Sequence, residues 1–294
     1  MTPVVKPQVR PVDLATAQRL DGDWIAVIGE DRPFRFSGEY RSSELKNGYQ
    51  MLYPAPDFAT FLVGIATHAA IQSAESEAHE EAQRRASDVV LAPYEQVLDE
   101  ILVHGMFKHA VQLQNSSAEI DVVATTAGGA ETPVIELAAH AIMAQSRRAL
   151  IVDLVARVQN PSITGDDSGY VHKVRVISNP IGVEERRVDS YWVEDEGRQL
   201  KQTVSRLLAQ AIDLFIADAT QHLQPLEDKQ ITARYQFGSE RRIERASLLQ
   251  QSCARMTLRT LRGWVLSVPV LDSLKRNTGC MDTEVVSHRE VPSV

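Results

Sequence analysis

The stretch from Thr132 to Thr220 constrains the fold most, because within it the apolar residues change from the period of a strand to that of a helix. From Pro133 to Ala144, the residues Ile135, Leu137, Ala139, Ala141 and Met143 recur at every second position, as in a strand with one buried face. Ser146-Arg147-Arg148 is a polar turn. Ala149 to Val158 is richer in apolar and β-branched residues, as in a strand nearer the centre of a sheet. A turn-rich segment from Asn160 to Gly169 leads into a third alternating run, Tyr170 to Ile177, and three antiparallel strands are the economical arrangement. The period then switches. Leu200, Val204, Leu207, Leu208, Ala211, Leu214 and Phe215 fall at three- and four-residue steps and form one apolar stripe of a helix. Glu194, Asp195 and Glu196 put negative charge at its N-terminus, where the helix dipole favours it, and Pro225 is its latest end. Such a stripe needs an apolar surface to cover it, and the strands just before it supply one.

Arg148 to Val152, Tyr170 to Ser178, the pair Tyr191-Trp192 and the helix Leu200 to Ala219 together resemble envelope lipoproteins of Gram-negative bacteria, among them the transport-auxiliary and curli-secretion lipoproteins. The resemblance covers about a third of the chain and carries no catalytic motif. It implies an α/β core with a helix packed on a sheet, and an extracytoplasmic protein of the assembly type.

The flanks are read from the residues alone. Residues 1–20 are punctuated by Pro3, Pro7 and Pro11 and read as a tether. Asp23 to Ile28 is a strand, Gly29 to Pro33 a turn, and Phe34 to Gly38 continues the pairing. A long helix starts at Asp57, with alanines every fourth residue: Ala66, Ala70, Ala74, Ala78, Ala82 and Ala86. Each step of four advances about 40° around the axis, so these residues form a slowly winding stripe that admits a close neighbour. Two readings stay open: a contact between subunits, or internal packing combined with the high helix propensity of alanine. After the central helix, Gln230 to Phe237, Arg241 to Leu249, Ala254 to Arg262 and Trp264 to Val268 read as a β-meander able to form a second small sheet, with helix as a competitor over Arg242 to Leu261. The expected fold is α+β. An antiparallel or mixed sheet (core, 21–225) is packed by the Leu200 to Ala219 helix and the Ala-striped helix, with a β-rich extension over 226–279 and a tail over 280–294.

Charge is unevenly spread. The chain carries −8, yet Lys229 to Arg276 holds ten basic residues against three acids, a local +7 that leaves −15 elsewhere. Arg241, Arg242, Arg245, Arg255, Arg259 and Arg262 are therefore candidates for contact with an anionic surface such as lipid headgroups. The alternative is that they are solvated or paired within the chain. No nucleic-acid motif accompanies the charge. No window has the ~20 uninterrupted apolar residues of a membrane helix. The start lacks a basic residue followed by an apolar run, so the protein is cytoplasmic or its sequence begins after a removed leader. A leader would place it in the periplasm or at the outer membrane. Cys253 and Cys280 lie in no metal-binding spacing; they are either a disulfide or two separate thiols.

Catalytic patterns are sparse. His79-Glu80-Glu81 lacks the second histidine of a zinc helix, and no GxSxG or phosphate-binding loop occurs. The best acid–base candidates are His140 and Asp153, facing each other across the first hairpin, as in a carboxylate–imidazole pair; a surface histidine on a half-exposed strand is the plainer reading. No cofactor and no metal is implied. The expectation is a non-catalytic envelope protein that scaffolds or assembles through protein contacts and self-association, with Ala66, Ala70, Ala74, Ala78 and Trp264 as interface candidates. The alternatives are a hydrolase using His140 and Asp153, and a module binding an anionic surface.

Overall fold

The structure, a computed structural model, describes residues 24–39, 82–115, 120–124, 134–159 and 169–271. The tether, the C-terminal tail and the Ala-striped helix up to residue 81 lie outside these; its last turns, at 82–88, are helical. The fold is α+β, with a ten-stranded mixed sheet and a long helix.

Strands β1 (Trp24–Val27) and β2 (Phe36–Gly38) precede a helical stretch made of a 3-10 turn, Val89–Tyr94, and helices α1 (Glu95–Asp99) and α2 (Val103–Leu113). Then come β3 (Ile120–Val123) and the meander β4 (Val134–Met143), β5 (Leu150–Gln159) and β6 (Gly169–Ile177). Helix α3 (Val188–Ala219) follows, and then β7 (Gln230–Phe237), β8 (Glu240–Gln251), β9 (Arg255–Thr260) and β10 (Val265–Pro269). The order across the sheet is β3-β1-β4-β5-β6-β10-β9-β8-β7, with β2 also on β4.

The meander is antiparallel in the expected register. Its period-2 pattern sorts side chains to two faces. Ile135, Leu137, Ala141, Val152, Leu154, Val174 and Val176 join the buried stripe of α3 in one core, which α1 and α2 extend. Every residue of the expected α3 stripe is buried. Trp24 and Phe215 meet edge to face at 6.3 Å and tie β1 to α3.

Three differences from the sequence reading have physical causes. Phe34 to Gly38 does not pair with β1. The linker is held instead by backbone bonds from Phe34 to Ile101 and from Val103 to Arg32, and β1 and β2 each lie parallel to a different end of β4. Helix α3 is interrupted at Glu194, and Asp195, Glu196 and Gly197 all have positive φ. The acidic residues therefore form a left-handed turn between Tyr191-Trp192 and the main helix. Finally, the C-terminal strands form no second sheet. Strand β10 returns beside β6, in parallel, and β8 shifts register between Leu248 and Gln250, pairing β9 with one half and β7 with the other. The β7–β8 ribbon thus rolls over the second face of the meander. Ala233, Tyr235 and Phe237 pack there on Ile151, Ile177, Leu266 and Val268, and Tyr235 bridges to Val270 of the β10 end. Helices cover one face of the sheet, and its own last ribbon covers part of the other.

Candidate functional site

The second face of the meander is apolar where the β7–β8 ribbon covers it and charged further along. Its charged part is built by register. His140 on β4 lies directly opposite Asp153 on β5, and Asp153 directly opposite Arg175 on β6. The next row places Val155 opposite Lys173, and the row after it sets Glu136 against Arg157 at 4.0 Å. Glu244 of β8 and Trp264 approach from the rolled-over end.

The chemistry of this face is decided by Arg175. Its Nε and Nη2 donate to the two carboxylate oxygens of Asp153, each at 2.5 Å, in the bidentate geometry that arginine favours. His140 is the neighbour left over. Its Nε2 is enclosed without a hydrogen-bond partner. Burial lowers its pKa to about 4, and the nearby charges of Arg35 and Arg175 act the same way against the opposing pull of Asp153. Facing side chains are therefore present as read from the sequence, but they form no carboxylate–imidazole pair. Lys173 is also buried. Its ammonium sits 4.5 Å from the centroid of the Trp264 ring, and burial brings its pKa down to about 8 although Asp153 opposes this. Burial raises the carboxyl of Glu244 despite the charges of Arg262 and Arg175.

A second polar group lies on the helix-covered face. His172 of β6 places Nε2 2.6 Å from Asp218 of α3, and Arg259 of β9 donates to the same carboxylate and to the Leu223 carbonyl. Burial alone would raise the Asp218 carboxyl. The hydrogen bonds from His172 and Arg259 outweigh it and bring the pKa to about 2. His172 is fully buried beside Phe215 and Asp218 is buried with it, while Arg259 is half-buried, so this trio joins helix to sheet.

The six arginines read as one basic region divide into different environments. Arg255 is half-buried, donating to Ser267 and to the Ile177 carbonyl. Arg259 is taken by Asp218. Arg242 lies over Phe237 and pairs with Glu39 and Glu240. Arg262 is exposed in the β9–β10 turn, close to Glu244. Arg241 and Arg245 alone of the six stand on the outer face of the ribbon. There they are joined by Arg234, which sequence reasoning did not single out and which lies opposite Ile243. Ile243 is 60% exposed, and Arg234, Arg241 and Arg245 have no acidic partner among the described residues.

Of the interface candidates, Trp264 is 8% exposed and packs against Lys173, so its ring is not free for a partner. Ala66, Ala70, Ala74 and Ala78 lie outside the described residues. Cys253 is disulfide-bonded, and the sequence has one other cysteine, Cys280, also outside them. No three potential metal ligands converge among the described residues, and no described helix is long and apolar enough to cross a membrane. The residues missed by sequence reasoning are Lys173, Arg175 and the His172–Asp218 pair. The signal for the strand residues was three polar side chains, His172, Lys173 and Arg175, inside an otherwise apolar β-run. Comparison with family models, with curated proteins and with solved structures finds no match.

Proposed function

We propose that this protein is a non-catalytic component of the Gram-negative cell envelope that works through protein–protein contacts, including contacts with further copies of itself. The observation that carries the reading is the Asp153–Arg175 fork. It neutralises the carboxylate that lies directly opposite His140, and it leaves a neutral imidazole of low basicity. The strongest acid–base candidate of the chain is thereby part of a structural ion-pair row. A general base needs a pKa near the working pH and reach to a substrate proton, and His140 lacks the first. Arg234, Arg241 and Arg245, which have no acidic partner among the described residues, by contrast lie exposed on the outside of the ribbon. The resemblance carried by Arg148 to Val152, Tyr170 to Ser178 and the α3 helix supports the envelope as the location. So does the disulfide at Cys253, since such bonds persist mainly in oxidising compartments.

The test is cross-linking in intact cells of the natural host, followed by fractionation. Recovery in the periplasmic or outer-membrane fraction, in cross-linked complexes and with Cys253 resistant to alkylation until a reductant is added, is the expected result. Recovery from the cytosol as an uncross-linked chain with a freely alkylated Cys253 would overturn the reading.

A further inference from the structure

We propose that copies of this protein associate head to tail, the outer face of the β7–β8 ribbon docking on the acidic surface around α1 and the α3 kink of the next copy. This rests on the assembly reading above and names the surfaces that would perform it.

The basic surface follows from strand register. On a two-stranded ribbon with one buried face, the outward residues of β8 are Arg241, Ile243 and Arg245, and those opposite them on β7 are Gln236, Arg234 and Thr232. Arg234 lies directly across from Ile243, so three guanidinium groups surround one exposed apolar side chain. Opposite-charge partners for them are absent among the described residues, whereas Arg242 and Glu244, which alternate with them along β8, point to the other face. Arginines around a small apolar centre are a composition that binds well when a partner excludes the water.

The acidic surface is as well defined. The Val97 side chain of α1 packs where Gly197 lacks a Cβ, which brings α1 against the left-handed turn of α3. Glu95, Asp99, Glu100, Glu194, Asp195 and Glu196 are all exposed around that contact. Glu100 is near Lys201, Glu194 near Arg187, and Asp195 pairs with Arg198. Glu95, Asp99 and Glu196 have no cationic partner among the described residues. Among the described residues, one surface therefore carries three cations without an acidic partner and the other three anions without a cationic one.

Their placement decides the geometry. Val97 and Leu98 of α1 belong to the core on the helix-covered face, and the inward residues of the ribbon belong to the core on the other. The two charged surfaces thus sit on opposite sides of the sheet, and one copy cannot satisfy both by folding on itself. A contact between two different surfaces is not a two-fold dimer; it adds copies in a ring or an open row. A second copy is favoured over an extended polyanion for two reasons. The chain carries −8 overall, which repels a polyanion at long range. The ribbon face also presents no aromatic ring on which bases could stack.

The experiment is light scattering on the full chain and on two charge-reversed forms, Arg241→Glu with Arg245→Glu, and Glu95→Lys with Asp99→Lys. All four positions are exposed, and circular dichroism checks that each form is folded. The wild type is expected above the 32.7 kDa monomer mass at low salt, with association weakening about tenfold or more as salt rises to roughly 0.5 M. Each reversed form alone is expected to be monomeric. An equimolar mixture of the two is expected to associate again in alternating copies, because the ribbon of each form meets a patch of opposite charge on the other. Assemblies that survive both reversals would overturn the ribbon-to-patch contact and leave the assembly reading standing. A wild type monomeric at every salt and protein concentration overturns the contact, and with no cross-linked complex in cells it removes the assembly reading too. Binding of that monomer to phosphatidylglycerol vesicles or to single-stranded RNA, lost on Arg241→Glu with Arg245→Glu, would overturn the proposal in favour of a polyanion.

Discussion

At the scale of single residues, the charged row on the second sheet face shows how one neighbour decides the chemistry of another. Facing side chains do not make an acid–base pair when a third group competes for the carboxylate, and a buried guanidinium competes better than a neutral imidazole. His140 is left with a pH-dependent liability. A histidine in an unfolded chain titrates near 6.5, whereas His140 in the fold titrates at about 4. Between these values the unfolded chain binds a proton that the folded chain does not. The contribution of His140 to stability is thus fully present above about 6.5, falls as the pH drops, and is lost by about 4. The loss is on the order of 3 kcal/mol at most. Urea denaturation of wild type and His140→Leu at pH 7.5 and 4.5 checks this. The variant is expected to lose less stability between the two pH values, and equal losses would mean that His140 is protonated in the fold.

At the scale of elements, two left-handed segments hold the helices against the sheet. The β4–β5 turn puts Arg147 at a φ of 57°, an uncommon conformation for a residue with a Cβ. It is held there from three sides. The Arg147 carbonyl accepts the Trp192 indole N–H at 2.7 Å, its guanidinium donates to both Asp189 oxygens, and the Tyr94 hydroxyl donates to the same carboxylate. The α3 kink depends on Gly197, where φ is 73° and an added Cβ would stand 2.1 Å from Cγ1 of Val97. Gly197→Ala is expected to destabilise by roughly 1–3 kcal/mol, through both the backbone and the displaced valine. Thermal melts measure it. If the loss reflects this clash, Val97→Ala in the same chain recovers part of it; no recovery would assign the whole effect to backbone strain.

At the scale of the whole molecule, the position of β10 unites the chain. It is hydrogen-bonded to β6 on one side and β9 on the other, and α3 lies over β5 and β6 while Asp218 near its end holds Arg259 of β9. The residues before and after the helix therefore share one sheet and one polar anchor. A single cooperative transition is expected, with coincident denaturant curves from far-ultraviolet circular dichroism and from the fluorescence of Trp24, Trp192 and Trp264. Two separated transitions would show that the β-rich segment folds independently.

The sequence by itself determined the elements whose pattern is local. The three meander strands, the α3 stripe, the strand Gln230 to Phe237 and the turn at Gly238 each follow from a period or a turn residue that neighbouring positions repeat. It also determined that His140 and Asp153 would face each other, because a short hairpin sets register by counting. Tertiary structure alone decided what comes from distant residues. Strand β10 joins β6 across the whole length of α3 and the β7–β9 ribbon, and no local pattern names its partner. Arg175 takes Asp153 because β6 pairs with the other edge of β5, and Arg259 faces Asp218 because β9 arrives beside β10. The division of the basic stretch into half-buried, paired and exposed arginines follows in the same way: composition records the charge, and only the rolled sheet determines which guanidinium groups meet an acid and which remain in water.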